Sequence, residues 1–351
     1  MLAYIHIPFC DSKCSYCSFN SYVDKFHLKS TYIDALQQQI QHDLIFYNIQ
    51  KDSLETLFIG GGTPSTIPPK LYKKIFDTLR PYLKNNAEIT TEANPNSATK
   101  EWLQGMKALG INRVSFGVQS FDERKLHLLH RAHNATQAKD AIQNATTVGI
   151  EHISLDIIYG VDGDSKALLE TDLQTAFSLP IDHISCYALT IEENTPFAKT
   201  PEVAKERLEL TQWLFSMIEK KGFLQYEISN FGKYKSRHNL GYWQMKEYLG
   251  FGAGAVGMLQ NKRLYPHLEI ESYIKEPLYK KEEVLSSEDI IFEKIFLGLR
   301  SCVGVQKSIL NNTQLKNATL LLQEQKLYEE GDVLYNPNFL LADELALFLT
   351  S

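Results

Sequence analysis

Three closely spaced cysteines constrain this chain more than any other feature. Cys10, Cys14 and Cys17 follow Tyr4-Ile5-His6-Ile7-Pro8-Phe9 at Cys-x-x-x-Cys-x-x-Cys spacing, with Tyr16 just before the third. A β-branched run closed by Pro8 reads as a strand, so the thiols lie on the loop that leaves its end. Three thiolates on one tight loop can hold three irons of a cubane 4Fe–4S cluster and leave the fourth iron open to chelate a small molecule. Two other readings compete. Structural zinc takes four tetrahedral ligands, whereas this loop offers three thiols, with His6 a fourth that points away. A disulfide pair leaves one cysteine over and suits a secreted chain better.

Strand and helix patterns alternate after the loop. Ser30 reads as the N-cap of a helix with Ile33, Leu36, Ile40, Leu44 and Tyr47 at helical spacing. A strand over 54–59 ends in Gly60-Gly61-Gly62-Thr63-Pro64, and a helix over 69–83 leads to a strand over 88–91 that runs into Glu92-Ala93-Asn94-Pro95. A helix over 99–109 stops at Gly110, and the strand 113–118 runs into Gln119-Ser120. Asn134 with Gln137 forms a capping box for a helix ending at Gly149. The fifth strand, 153–158, carries Asp156, and after one more helix the sixth covers 184–189. Such alternation predicts an α/β fold with a parallel sheet, a partial (β/α)6 barrel. The cysteine loop, the glycine loop, Glu92 and Gln119 all fall at strand C-terminal ends, the functional face of such barrels, which predicts one shared site.

Beyond 192–201 the pattern changes. An amphipathic helix over 204–220 is followed by Tyr226-Glu227-Ile228-Ser229-Asn230-Phe231, by His238-Asn239-Leu240-Gly241-Tyr242-Trp243 and by a glycine-rich stretch over 250–257. Ser286-Ser287-Glu288-Asp289 opens a tail that reads as mainly helical. The predicted units are a core barrel over 1–200, an extension over 201–284 and a small C-terminal domain over 285–351.

Composition narrows the function classes. With 351 residues, 44% of them hydrophobic, the chain can bury a large core. A net charge of −6 and the lack of any Lys/Arg run argue against nucleic acid as a partner. No apolar run approaches the roughly 20 residues of a membrane span, and the start lacks a basic segment followed by an apolar one, so a cytoplasmic protein without stable membrane insertion is expected. Cys186 and Cys302 stand alone and read as small buried hydrophobes.

The remaining motifs keep two readings each. Gly60 to Thr63 lacks the Lys-Ser/Thr pair of a phosphate-binding loop, so its glycines mean backbone open to a ligand or a tight packing turn. Gly252-Ala253-Gly254-Ala255-Val256-Gly257 matches a dinucleotide fingerprint but has no strand-turn-helix unit around it, which favours close packing or cofactor approach. Glu92 and Asp156 form an acid-base pair or bind the hydroxyls or amino group of a nucleoside-bearing cofactor. Arg131 is a helix-surface charge or the partner of a carboxylate. His238, amid Asn239, Tyr242 and Trp243, is structural or an axial ligand of heme iron, with aromatic rings to suit a flat macrocycle.

Taken together, these stretches resemble the oxygen-independent coproporphyrinogen III oxidase family, a branch of the radical S-adenosylmethionine (SAM) superfamily, from Tyr4 through about Gly257. The resemblance is carried by Tyr-x-His-Ile-Pro-Phe-Cys at the start, Gly-Gly-Gly-Thr-Pro from Gly60, Glu-Ala-Asn-Pro from Glu92, Phe-Gly-Val-Gln-Ser from Phe116 and Leu-Asp-Ile-Ile-Tyr-Gly from Leu155. It implies that Cys10, Cys14 and Cys17 hold a 4Fe–4S cluster. It further implies that Tyr4, the backbone around Tyr16, Gly61, Gly62, Thr63, Glu92, Gln119, Arg131 and Asp156 contact SAM, while Thr190 stands where the true oxidases carry an alanine near the adenosyl group. Two branches divide the family. True oxidases carry a further cysteine two residues after the third, where this chain has Phe19, and a longer N-terminal arm. The heme-chaperone branch has neither and carries the His-Asn-x-x-Tyr-Trp motif found here at His238, Asn239, Tyr242 and Trp243. The resemblance therefore implies heme contact at those four residues, a heme acceptor protein as partner and, where SAM is cleaved, a flavodoxin- or ferredoxin-like electron donor. The alternative is the oxidase reaction, conversion of two coproporphyrinogen propionates to vinyl groups. A zinc-stabilised interaction module is the non-enzymatic third reading.

Overall fold

The computed structural model describes residues 1–351. The opening β-branched run forms β1 (Leu2–Ile7), and the cysteine loop leads to α1 (Lys29–Phe46). The alternation continues as β2 (Leu54–Gly61), α2 (Pro69–Leu79), β3 (Leu83–Ala93), α3 (Lys100–Leu109), β4 (Arg113–Gln119), α4 (Glu123–Leu128), α5 (Ala135–Thr147), β5 (His152–Tyr159), α6 (Lys166–Ser178) and β6 (His183–Ala188). Strands β1 to β6 pair in chain order and in parallel, which needs crossover connections that the intervening helices supply. Apolar residues on the sheet and the inner helix faces join in one core cluster of 54 buried residues.

The sheet extends further than six strands. After α7 (Leu208–Glu219), the short β7 (Leu224–Gln225) and β8 (Asn230–Gly232) add antiparallel to β6. A short helix, α8 (Arg237–Trp243), precedes β9 (Tyr248–Phe251), which lies parallel to β1 on its other side and makes a seventh parallel strand. Then β10 (Gly257–Leu259), β11 (Lys262–Tyr265), α9 (Ile270–Lys275) and β12 (Lys281–Val284) complete an open series of twelve strands, with β10 to β12 antiparallel. The glycine-rich stretch is thus a hairpin: a Cβ on Gly252 would meet the Tyr32 hydroxyl at 2.5 Å, so its glycines serve close packing.

Local signals account for most boundaries. Asn134 and Gln137 form the expected capping box, Thr99 accepts the Trp102 N–H, and Gly110 ends α3 at φ +114°. Three expectations shift. A 3-10 turn over Phe26–Leu28 precedes α1, so the helix starts at Lys29 and Ser30 lies inside it without a capping bond. Pro81 converts the end of the 69–83 helix into a 3-10 turn, Arg80–Tyr82. Proline-led turns at Pro196–Lys199 and Pro201–Val203 delay α7 to Leu208.

The tail combines α10 (Ser287–Leu299), β13 (Val305–Gln306), α11 (Asn312–Gln323), β14 (Tyr328–Glu330), β15 (Val333–Tyr335) and α12 (Ala342–Thr350). Its three helices surround a small antiparallel sheet, β13-β15-β14, and enclose a separate apolar cluster of 11 residues. The Cys302 N–H donates to the Tyr226 carbonyl at 2.8 Å, joining the tail to the sheet edge. No helix is long and apolar enough to cross a membrane.

Candidate cofactor pocket

A cavity of about 500 Å³ opens where the parallel strands end, and Cys10, Cys14, Cys17, Tyr16, Gly61, Gly62, Thr63, Glu92, Gln119, Arg131, Asp156 and Thr190 line it. The cysteine loop, the glycine strip, Glu92 and Gln119 stand at the C-terminal ends of β1 to β4, where the alternation put them, while Asp156 comes from within β5, Thr190 from just beyond β6 and Arg131 from the turn after α4. Tyr4 is the exception: it lies beneath the pocket, its hydroxyl 3.0 Å from His6 Nδ1, while His6 Nε2 bonds to the Asn20 carbonyl at 2.8 Å. Its contact with the pocket is through the loop it supports.

The cysteine loop is held by its own backbone. Cys10 donates to the Tyr22 carbonyl at 3.0 Å, Tyr22 to Pro8 at 2.7 Å, and Cys17 to Cys14 at 3.2 Å. Gly61 takes φ +113°, where a Cβ would sit 2.6 Å from the His6 ring. On Gly62 a Cβ would lie 3.1 Å from Cys10 Sγ. Both readings of the glycine strip therefore hold: it lines the cavity and lets the end of β2 close against the thiols. Thr63 Oγ1 lies 3.2 Å from Cys10 Sγ. All five cysteines are free, and no three metal-ligating side chains converge on a point that would hold a single ion. Three thiols lining one cavity suit a cluster, in which each binds a different iron, and fall one short of the four ligands of structural zinc. Burial pushes the Cys10 and Cys17 thiols up, opposed by the Thr63 hydroxyl at Cys10 and the Phe19 N–H at Cys17.

Two carboxylates form the polar floor. Glu92 Oε2 accepts the Gly61 N–H at 3.1 Å, and Asp156 Oδ1 accepts the Ser115 hydroxyl at 3.4 Å. Burial, and then the charge of Asp156, pushes Glu92 up to about 7; burial pushes Asp156 up to about 6 against the pull of Ser185, Arg113 and Ser115. Beside them Gln119 adopts φ +70°, a left-handed backbone rare for a side-chain-bearing residue. The turn is fixed from behind, where Asp172 accepts the Ser120 hydroxyl at 2.7 Å and the Phe121 N–H at 2.6 Å.

Arg131 is not a surface charge. Its Nη1 donates to Cys14 Sγ at 3.2 Å and to Tyr16 Oη at 3.3 Å, and its Nη2 to Asn94 Oδ1 at 2.7 Å and the Gly117 carbonyl at 2.6 Å. One residue earlier, His130 Nδ1 lies 2.5 Å from Ser15 Oγ.

The heme residues expected from the sequence stand elsewhere. His238 is 1% exposed at the base of the sheet's concave face, its Nδ1 2.6 Å from Thr56 Oγ1, its ring stacked on Phe58 at 5.0 Å and met edge-on by Tyr242 at 4.7 Å. Glu88 holds the start of α8: its carboxylate accepts the Arg237 N–H at 2.8 Å, the His238 N–H at 2.9 Å and the Tyr234 hydroxyl at 2.8 Å. Burial, then nearby Arg113, pushes the His238 ring down to about 3, so it is neutral, and Nε2 has no partner. No face of this imidazole is open to a macrocycle. In this conformation His238 seats α8 on β2 through Nδ1, while Nε2, its other ring nitrogen, has no bond to the protein. Asn239, Tyr242 and Trp243 are half-buried on the same helix and do not line the cavity.

Several pocket residues escaped the sequence reasoning. Asn94 was visible only as part of a motif, although it holds Arg131. Ser115 and Tyr187 face inward by the strand period of two from Arg113 and from Ser185, a signal available once the strands are placed. Arg113, 2% exposed within the sheet, gave no signal in a single sequence.

A profile of the radical SAM superfamily matches residues 4–176. The chain is 36% identical to the heme chaperone HemW of Bacillus subtilis (strain 168), over 87% of this chain and 84% of that one. It is 33% identical to the heme chaperone HemW of Haemophilus influenzae, over 99% and 97%. Among solved structures, the coproporphyrinogen III oxidase of Escherichia coli, described as a radical SAM enzyme, superposes with a TM-score of 0.83 over 99% of this chain and 89% of that one, at 19% identity, a likeness of fold.

Proposed function

Because this chain belongs to the radical SAM superfamily and, within it, to the HemW family of heme chaperones, we propose that it carries heme to an acceptor protein in the cytoplasm while holding a 4Fe–4S cluster and SAM. The observation that carries this reading is the convergence, in one cavity, of three free thiols with the glycine strip, Glu92, Gln119 and Asp156.

In this reading Cys10, Cys14 and Cys17 would hold three irons of the cluster, whose fourth iron would be available to chelate SAM. The exposed amides of the strip from Gly61 to Thr63 offer donors to a carboxylate. Glu92 and Asp156, once ionised, offer acceptors to an ammonium group or ribose hydroxyls. Gln119, held left-handed by the Asp172 anchor, keeps its amide at the pocket wall. Tyr4 and His6 act from below by fixing the loop through Asn20. When bound, the cluster supplies a one-electron reductant to the SAM sulfonium, with a flavodoxin- or ferredoxin-like protein as its electron source. Heme is cargo in this scheme. His238, with Asn239, Tyr242 and Trp243 beside it, is its candidate contact: Nε2 has no partner in the protein while Nδ1 is fixed by Thr56, the arrangement of a ligating imidazole, and the enclosing helix α8 would have to shift to admit the macrocycle.

The test is an anaerobic titration of the cluster-loaded protein with hemin, followed at the Soret band, and then mixing with an apo b-type hemoprotein. The reading predicts stoichiometric heme binding and transfer to the acceptor. Failure to bind heme, or turnover of coproporphyrinogen III to a vinyl product in the presence of SAM and reductant, would overturn it in favour of the oxidase reaction.

A further inference from the structure

Behind the wall of the cavity lies a buried ionic clasp whose members do not line it. Lys125 in α4 and Asp164 in the turn after β5 pair at 2.7 Å, and each side chain is 3% exposed. Asp164 also holds its own turn, where its Oδ2 accepts the Val161 N–H at 3.1 Å and its N–H donates to the Val161 carbonyl at 2.9 Å. Asp172 in α6, itself buried, takes the Ser120 hydroxyl and the Phe121 N–H. Burial pushes the Asp172 carboxyl up, and the Phe121 N–H, the Lys125 ammonium and the Ser120 hydroxyl oppose it, so one cation serves two buried carboxylates.

The clasp grips the segment that carries both Gln119 and Arg131. Asp172 fixes its start, beside the left-handed Gln119. Asp122 caps α4 by accepting the Lys125 N–H at 2.9 Å, and the Lys125 side chain bolts that helix to the turn after β5. At the far end the Arg131 N–H donates to the Leu126 carbonyl at 3.0 Å, and Leu129 packs with Ile158, Val161 and Leu189. Ile158 and Leu189 in turn line the cavity.

From this geometry we infer that Lys125, paired with Asp164 and facing Asp172, is a positioning residue for SAM: it sets α4 against the turn after β5, and with it the places from which Gln119 and Arg131 reach the cofactor. Stability does not account for such a pair, because the cost of taking two charges out of water rivals their attraction, and a neutral pair of similar volume is often as stable. What the charges add is a fixed register of helix against turn, since neither partner can leave the other while buried. A neutral replacement therefore returns the stability without the register, and the site it supports becomes loose. The inference rests on the SAM reading of the cavity given above.

The experiment is anaerobic calorimetric titration of the reconstituted protein with SAM, alongside the iron-to-protein ratio and urea unfolding of the cluster-free chain. The variants are Lys125→Met, the double variant Lys125→Met with Asp164→Asn, and Asp172→Asn, which keeps an acceptor for the Phe121 N–H and loses the charge facing Lys125. The double variant is expected to unfold near the native urea midpoint and to load as much iron as the native protein. Its SAM affinity is expected to fall about tenfold, the scale on which small misplacements of positioning groups are felt. Asp172→Asn is expected to lose about threefold, with iron loading unchanged. A SAM affinity in the double variant within about twofold of native would overturn the inference. So would an affinity that follows the unfolding midpoint, lost in Lys125→Met and restored in the double variant, which would make the pair a structural element only. Should the double variant fail to fold, Asp172→Asn decides, and an affinity within about twofold of native would overturn the inference. If the native protein with its cluster loaded binds no SAM, the SAM reading fails instead.

Discussion

Replacing Glu92 with glutamine isolates the electrostatic cost of the pocket floor. In the folded protein Glu92 is raised from 4.5 to about 7 by burial and by Asp156. The difference, at about 1.4 kcal/mol per unit, amounts to roughly 3 kcal/mol. Its sign follows from proton counting. Between pH 4.5 and about 7 the folded state keeps a proton that the unfolded chain has released, so stability is fully present below 4.5, falls as pH rises through 7, and is flat above it. Asp156 adds the same sign between 3.8 and about 6. Urea unfolding of the cluster-free protein from pH 4.5 to 8 should therefore show the native chain losing roughly 3 kcal/mol more than Glu92→Gln. The variant should be the more stable at pH 8, by less than that amount, because the charge-assisted bond from Gly61 is weakened. A cationic ligand draws on the ionised form, so SAM affinity of the native protein should rise with pH through 7, by up to about tenfold per unit below it, and the variant should flatten that slope. Parallel stability profiles for the two proteins over this range would refute the reasoning.

Three further outcomes follow from named contacts. His238→Ala removes a buried ring and its bond to Thr56, which should lower unfolding stability by about 2–4 kcal/mol and abolish or shift the Soret band of the heme complex; an unchanged Soret spectrum would leave His238 a purely structural residue. Gly62→Ala places a Cβ 2.8 Å from the Phe9 carbonyl and 3.1 Å from Cys10 Sγ, and should reduce the iron-to-protein ratio after reconstitution with little change in far-UV circular dichroism. Lys125 and Asp164 form a buried ion pair at 2.7 Å, so Lys125→Met should cost about 3–5 kcal/mol in urea unfolding, most of it recovered in the double variant with Asp164→Asn.

How far the sequence carries depends on whether a residue's role is local. The strands from β1 to β6 were legible because each apolar run is bounded by a helix signal, and the pocket because its residues fall at strand ends. β9 was not, since four residues containing Gly250 carry no strand pattern of their own, and the tail sheet was not, since β13 to β15 have two or three residues each. The place His238 takes in the fold was not legible for another reason. Its aromatic neighbours in sequence suit a macrocycle, but its seat is made by Thr56 and Glu88, far away in the chain. Arg131 shows the same limit: in sequence it reads as a helix-surface charge or the partner of a carboxylate, whereas Cys14, Asn94 and Gly117 converge on it only in the folded sheet.

The claim on which the account stands is that three thiols leave one cluster iron open toward the pocket. Its most direct test is the EPR spectrum of the reduced, anaerobically reconstituted protein with and without SAM. The account predicts a [4Fe–4S]+ signal that changes shape when SAM is added and that is absent when Cys10, Cys14 and Cys17 are all replaced with serine. A signal indifferent to SAM, or one that persists in the triple variant, would contradict it.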